Sequence, residues 1–202
     1  MALGCAGFVA AHPGALVVTA IAGKPGPHPL TDWDRKCGFV QEDDVMGARR
    51  LEDEAAIAEL GATTRWLDFL DRQYADWKSP DTTKMTAALR PILDHADFVA
   101  APLGIGHPDH VAVAQACFEL ARSPRGKQWV LYEDVIYRTT DGRTEEAVAR
   151  LRKDGFALSE VEFLEAPHKR QAIERYKSQV LGLGDLLDDA YRPERYWRLT
   201  LT

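Results

Sequence analysis

Apolar segments typical of buried strands alternate along this chain with segments of helical periodicity. Residues 97–102 are typical of a buried strand, and a helix-like apolar pattern follows them. Such alternation favours an α/β fold, because parallel strands need a crossover connection that a helix can supply. We therefore expect one α/β domain with a mainly parallel sheet and helices on both faces.

The predicted elements follow from apolar periodicity, capping residues and the positions of Gly and Pro. Strands are predicted at residues 15–21, 64–69, 97–102, 129–132 and 156–164, with an edge strand at 196–201. Helices are predicted at residues 2–12, 44–60, 80–94, 110–122, 144–154 and 167–181. Pro80 is expected at a first helical position and Thr144 as a helix cap. Residues 22–41 and 70–78 are predicted loops, and long loops of this kind are often functional.

Composition narrows the class of protein. The chain has 202 residues, of which 46% are hydrophobic, and this suits one globular domain with a sizeable core. The net charge is -6 without a basic stripe, so no nucleic-acid partner is expected. Cys5, Cys37 and Cys117 form neither an even set nor a Cys-x-x-Cys pair, which favours a reducing, cytoplasmic compartment. No membrane span or signal peptide is predicted, and the sequence leaves open whether the chain forms a homo-oligomer.

The segment Gly106-His107-Pro108-Asp109-His110 lies between a predicted strand and a predicted helix. Ligands bind at the carboxyl ends of strands in open α/β sheets, so this position favours a site. A neutral imidazole is a common zinc ligand, and a neighbouring carboxylate can orient it. The alternative is an ordinary turn in which Asp109 caps the helix. One histidine cannot hold a catalytic zinc ion, which usually takes three protein ligands and a water.

Four segments carry a further pattern, in this order: Arg49-x-x-Glu52-x-x-x-Ala56-x-x-x-Leu60-Gly61, Trp66-Leu67-Asp68-Phe69-Leu70-Asp71, Pro102-Leu103-Gly104-Ile105-Gly106-His107-Pro108-Asp109-His110 and Tyr132-Glu133-Asp134-x-x-Tyr137. Together they resemble the LmbE-like, or PIG-L, family of zinc-dependent N-acetylglucosaminyl deacetylases. The resemblance covers about residues 2–138 well and the C-terminal third more loosely. This chain has Ile136 where the family usually has Pro.

The resemblance implies a single Rossmann-like deacetylase domain over residues 1–202. Its activity would be a zinc-dependent hydrolysis that removes an N-acetyl group from a small-molecule amino-sugar conjugate. His110 would be a metal ligand. His107 would be catalytic, either aiding the transition state or protonating the leaving amine, and Asp109 would orient His107 or the metal's surroundings.

Substrate contacts are also implied for Arg49 and Asp71. The alternative for Arg49 is a pairing with Glu52, which lies three residues further along the same predicted helix. The alternative for Asp71 is a solvated loop residue.

One departure from the family affects the expected activity. The family's first metal motif, His-x-Asp-Asp at the end of the first strand, does not occur in the printed sequence. Leu3-Gly4-Cys5-Ala6-Gly7 is similar to the turn that follows it, so the first strand and the motif are expected upstream of Met1. His12 and His28 are the other candidate ligands, and a helix end and a loop explain them better. The chain as printed is therefore expected to bind zinc weakly or not at all and to be inactive or impaired.

Two alternatives remain open. The chain could be a non-catalytic remnant of the deacetylase fold that serves as a binding or interaction module. The in-frame DNA ahead of Met1 would distinguish this hypothesis from the deacetylase. A Rossmann-like nucleotide binder is the weakest alternative, since no Gly-x-Gly-x-x-Gly follows a predicted strand.

Overall fold

The computed structural model describes residues 3–123, 126–162 and 168–202. The strands, in chain order, are β1 (Leu16–Thr19), β2 (Thr63–Trp66), β3 (Phe98–Pro102), β4 (Gln128–Tyr132), β5 (Phe156–Val161) and β6 (Tyr196–Leu201). The helices are α1 (Ala6–Ala10), α2 (Asp32–Lys36), α3 (Val45–Glu59), α4 (Thr82–Leu93), α5 (Pro108–Ala121), α6 (Arg143–Lys153), α7 (Lys169–Arg175) and α8 (Lys177–Leu183). Short 3₁₀ helices cover Arg72–Tyr74 and Gly184–Tyr191. The predicted α/β class is confirmed.

The chain divides into two compact units. The first unit comprises Met1–Lys78 and Glu165–Pro193, and the second comprises Ser79–Leu164 and Glu194–Thr202. Each unit contains its own strands and helices. In the described part of the chain, no helix combines the length and the apolar character needed to cross a membrane.

In the first unit, β1 and β2 form a parallel pair in which Leu16 lies opposite Thr63. Helices α2 and α3 lie between them in the chain, and α3 is capped by Asp44, whose carboxylate accepts a hydrogen bond from the backbone N–H of Gly47 at 2.9 Å. Gly61 lies just after α3 with a φ of 70°, which suits the left-handed position that ends many helices. Helix α3 packs against α7 and β2, and Ile57 of this helix is fully buried.

In the second unit, four strands form one sheet in the order β3-β4-β6-β5. Strands β3 and β4 are parallel, with Phe98 opposite Gln128, whereas β6 is antiparallel to both of its neighbours. Helix α4 packs against α5, and α6 packs against β5. The largest fully buried apolar side chains of this unit are Met85, Leu103, Ile105, Leu131, Leu151, Phe156 and Tyr196.

The structure corrects the prediction for residues 196–201. They form a strand as expected, but β6 lies between β4 and β5 and is not an edge strand. Tyr196 and Leu199 are buried and the other four side chains are half-buried or exposed, and that pattern alone does not reveal a partner on each side.

Several predicted boundaries also differ from the observed ones. The carboxylate of Asp81 accepts hydrogen bonds from the N–H groups of Thr83 and Lys84, so Asp81 caps α4 and Pro80 precedes the cap. Gly142, and not Thr144, is the capping residue of α6.

Two longer segments differ as well. The predicted loop 22–41 contains α2, because the Thr31 hydroxyl accepts a hydrogen bond from the N–H of Asp34 and starts a helix there. The predicted helix 167–181 is divided into α7 and α8 at Tyr176, and residue 167 lies outside the described residues.

Candidate active site

The candidate site lies at the carboxyl ends of β3 and β4. These strands are parallel neighbours, so the segments that follow them leave the sheet at the same edge. After β3 the chain forms the turn that leads to His107, and after β4 it continues directly into Glu133 and Asp134. The backbone N–H of Leu103 donates a hydrogen bond to the carbonyl of Tyr132 at 2.9 Å, which joins the chain just after β3 to the end of β4. Both histidines of the motif thus lie at this edge, as predicted.

Two glycines allow the turn after β3 to approach its neighbours closely. Gly104 has a φ of 80°, and a Cβ atom there would lie 2.7 Å from the Cβ of Ala114 on α5. Gly106 has a φ of 76°, and a Cβ atom there would lie 2.5 Å from the Tyr137 ring. Neither conformation nor space suits a larger residue, so both glycines are required by the shape of the turn.

His107 is the capping residue at the start of helix α5. The Nδ1 atom of His107 accepts a hydrogen bond from the backbone N–H of Asp109 at 3.3 Å, and Pro108 occupies the first helical position. The alternative in which Asp109 caps the helix is therefore wrong, because the imidazole takes that place. Asp109 lies in the first turn instead, with its carboxylate buried and one oxygen 3.9 Å from His107 Nδ1.

Asp134 contacts three points of this turn. One carboxylate oxygen lies 2.8 Å from His110 Nδ1, and the other accepts hydrogen bonds at 2.8 Å from the N–H groups of Gly104 and Ile105. Asp134 is 1% exposed. Sequence analysis did not single it out as a site residue, because turn chemistry explains a Glu-Asp pair after a strand equally well. Its signals were its position at the carboxyl end of that strand and its place in the segment Tyr132-Glu133-Asp134-x-x-Tyr137, which carries part of the resemblance.

The two imidazoles are accessible, although the carboxylates behind them are buried. The side chains of His107 and His110 are 33% and 40% exposed. Their ring centroids lie 5.6 Å apart, and the ring of Tyr137 lies 5.9 Å from His107 and 5.3 Å from His110. The arrangement can present two ring nitrogens to one ligand, and Asp134 contacts the Nδ1 atom of His110.

The side chain of Glu133 does not join the histidine cluster and instead contacts Arg195 and Trp197. Its carboxylate accepts a hydrogen bond from the indole N–H of Trp197 at 3.1 Å and lies 3.5 Å from the Arg195 guanidinium. Burial raises the pKa of Glu133. The hydrogen bond from Trp197 and the positive charge of Arg195 offset part of that rise.

In the first unit, Arg49 lies in a buried polar cluster. Its guanidinium pairs with the fully buried Asp34 at 2.9 Å, and the Tyr74 hydroxyl donates to the same carboxylate. Burial raises the pKa of Tyr74, which keeps the phenol protonated as a donor. The alternative pairing of Arg49 with Glu52 is not observed, because Glu52 accepts hydrogen bonds from the N–H and hydroxyl of Ser178.

Asp71 is half-buried at the start of the 3₁₀ helix Arg72–Tyr74. Its carboxylate accepts a hydrogen bond from the N–H of Gln73 at 3.0 Å, which is a capping contact. The structure therefore gives Asp71 a local role that its position in the loop did not reveal. A contact of Asp71 with substrate stays a prediction.

The described residues do not fit a complete zinc site. Within residues 3–123, 126–162 and 168–202, no group of three or more His, Cys, Asp and Glu side chains could hold a metal ion. His12 and His28 each direct Nδ1 to a backbone carbonyl at 2.7 Å, those of Phe8 and Pro29. His110 is a single imidazole at the edge of the sheet, whereas catalytic zinc sites usually have three protein ligands.

The fold and the site define an α/β protein with a histidine pair at the carboxyl edge of two parallel strands. The sequence profile described as PIG-L: GlcNAc-PI de-N-acetylase matches residues 1–121, which is more than half of the chain. The chain therefore belongs to the PIG-L de-N-acetylase family. No curated protein sequence matches it significantly.

Solved deacetylase structures share the fold. A triple mutant of a deacetylase from the teicoplanin biosynthetic pathway is 26% identical, with a TM-score of 0.80 over 99% of this chain and 93% of that chain. A deacetylase–teicoplanin complex is 26% identical, with a TM-score of 0.79 over 100% of this chain and 94% of that chain. A zinc-inhibited form of teicoplanin deacetylase is 24% identical, with a TM-score of 0.80 over 99% of this chain and 94% of that chain.

Proposed function

We propose that this chain hydrolyses the N-acetyl group of an amino-sugar conjugate. Water adds to the amide carbonyl, the C–N bond breaks, and acetate and a free amine are formed. The observation that carries the proposal is the pair of accessible imidazoles at the carboxyl edge of β3 and β4 in a member of this family. The teicoplanin deacetylases share the fold and support a sugar conjugate of small-molecule size as substrate.

The hydrogen bond at the start of α5 supports a particular role for His107. A nitrogen that accepts from a backbone N–H carries no proton, so neutral His107 carries its proton on Nε2. A neutral imidazole can donate a hydrogen bond to the oxygen of the tetrahedral intermediate. This favours transition-state stabilisation over protonation of the leaving amine. Asp109 orients His107 through its backbone N–H.

The remaining assignments are proposed from the family resemblance. His110 is the zinc ligand, and Arg49 and Asp71 contact substrate. Zinc would polarise the amide carbonyl and lower the pKa of its bound water. Because the described residues do not complete a zinc site, we propose that the chain as printed is impaired. We further propose one deacetylase domain over residues 1–202 in the cytoplasm, where the free cysteines Cys5, Cys37 and Cys117 would remain reduced.

Acetate release from a panel of N-acetylglucosamine conjugates, a glycolipid and a glycopeptide among them, tests the proposal. We expect slow release by the purified 202-residue chain in zinc-containing buffer. His107→Ala and His110→Ala should each remove the release, while the exposed substitution Asp141→Asn should leave it unchanged. Equal rates for the wild type and both histidine variants would show that the hydrolase proposal is wrong.

The lack of three grouped ligands among the described residues favours one alternative, a non-catalytic binding module. Such a module would bind the amino-sugar conjugate and release no acetate. Calorimetric titration with the same conjugates distinguishes the two functions. Binding that survives in His110→Ala, without any acetate release by the wild type, would establish the module and exclude the enzyme.

A further inference from the structure

Asp134 is a buried carboxylate beside the histidine pair, and none of the roles proposed above uses it. It is 1% exposed, and its two oxygens face different groups. One oxygen faces His110 Nδ1, and the other accepts the N–H groups of Gly104 and Ile105. It thus connects the end of β4 both to the turn after β3 and to the first turn of α5.

The chemistry of a carboxylate decides where the shared proton lies. A carboxylate is an acceptor only, so the proton in the 2.8 Å contact between Asp134 and His110 belongs to the imidazole Nδ1. Neutral His110 then has no proton on Nε2, and the lone pair of that nitrogen points away from Asp134. His107 has the opposite tautomer, because its Nδ1 accepts from the N–H of Asp109.

We propose that Asp134 is a positioning residue that holds His110 in the Nδ1–H tautomer, so that the two histidines of one turn present unlike ring nitrogens. His110 presents an Nε2 lone pair, which can accept a hydrogen bond or a proton, whereas His107 presents an Nε2–H donor. Only the use made of that lone pair rests on the proposed function. The tautomers themselves follow from the hydrogen bonds.

The variant Asp134→Asn separates positioning from support of the fold. The amide oxygen of Asn can still accept the two N–H groups of the turn, which keeps the turn in place. The amide NH₂ group would then face His110 and act as a donor. His110 Nδ1 must accept that hydrogen bond, so its proton moves to Nε2 and the lone pair is no longer presented.

Nitrogen-15 NMR of histidine-labelled protein in alkaline buffer, where imidazoles are neutral, reads the tautomers directly. We expect His110 as Nδ1–H and His107 as Nε2–H in the wild type, and both as Nε2–H in Asp134→Asn. Asp81→Asn is the matched control, because Asp81 also accepts two backbone N–H groups but caps α4. It should leave both histidines as in the wild type.

Three results would overturn the inference. They are an Nε2–H tautomer of His110 in the wild type, an unchanged Nδ1–H tautomer in Asp134→Asn, and the same change in Asp81→Asn. The wild-type measurement stands even if Asp134→Asn does not fold. If the chain releases acetate, Asp134→Asn should lower the rate to that of His110→Ala. If it releases none, the proposed hydrolase fails while the tautomers still test the role of Asp134.

Discussion

Glu133 and Asp134 are adjacent carboxylates at the end of β4, and their surroundings make them different groups. Asp134 faces two backbone N–H groups and an imidazole nitrogen, whereas Glu133 faces one indole N–H at 3.1 Å and a guanidinium at 3.5 Å. Both side chains are 1% exposed. Buried carboxylates are tolerated when their oxygens are paired, and Asp134 meets this requirement more fully than Glu133.

Glu133→Gln tests this difference through the pH dependence of stability. Burial raises the pKa of Glu133 above its ordinary value of 4.5, so the folded chain holds this proton more firmly than the unfolded chain. The stability that Glu133 contributes is therefore fully present below its unfolded pKa and is lost as the pH rises through the folded one. The free energy of unfolding of the wild type, relative to Glu133→Gln, should fall over that pH range in urea titrations.

Glu119→Gln, at an exposed position of α5, controls for the loss of one negative charge. A wild-type advantage over Glu133→Gln that stays constant, or grows with pH, would mean that burial of Glu133 does not govern its protonation.

At the scale of elements, the turn between β3 and α5 determines the site. Its glycines bring the backbone against Ala114 and Tyr137, and Asp134 binds the same turn from β4. A small change in the path of this turn would move both histidines together, because they start the helix that follows it.

Gly104→Ala should therefore destabilise the second unit strongly. A left-handed backbone costs a residue with a Cβ atom roughly 1–2 kcal/mol. At Gly104 the new atom would also lie 2.7 Å from Ala114, and such overpacking adds about 1–3 kcal/mol. Gly142→Ala is the matched control, with a φ of 78° and nothing within 4 Å of the added atom. Equal losses in the two variants, measured by urea denaturation, would show that the turn does not pack as tightly as described.

The sequence predicts the helices and strands of the second unit better than it predicts which of them lie next to each other. The strand before the motif, the turn and the helix after it follow from local apolar patterns, and all three are observed. The partnership of Asp134 with His110 spans 24 residues and depends on the parallel register of β3 with β4, which local pattern does not specify. The insertion of β6 between β4 and β5 is equally non-local, so it appears only in the structure.

For the whole molecule, we propose a PIG-L family de-N-acetylase in which His110 is the one expected metal ligand among the described residues. The family profile spans residues 1–121, and this range includes Arg49, Asp71, His107 and Asp109, which we propose to contact substrate or to take part in catalysis. Arg49 and Asp71 belong to the first unit, and His107, Asp109 and His110 belong to the second. No described histidine, His110 included, lies in a group of three or more metal-binding side chains.

The zinc content of the purified 202-residue chain after exhaustive dialysis, measured by elemental analysis for the wild type and for His110→Ala, tests this claim most directly. A site with one ligand of the usual three should lose its metal. We predict well below one zinc ion per chain in the wild type and no further loss in His110→Ala. One zinc ion per chain that survives dialysis in the wild type and disappears in His110→Ala would contradict the account, because other residues would then complete the site.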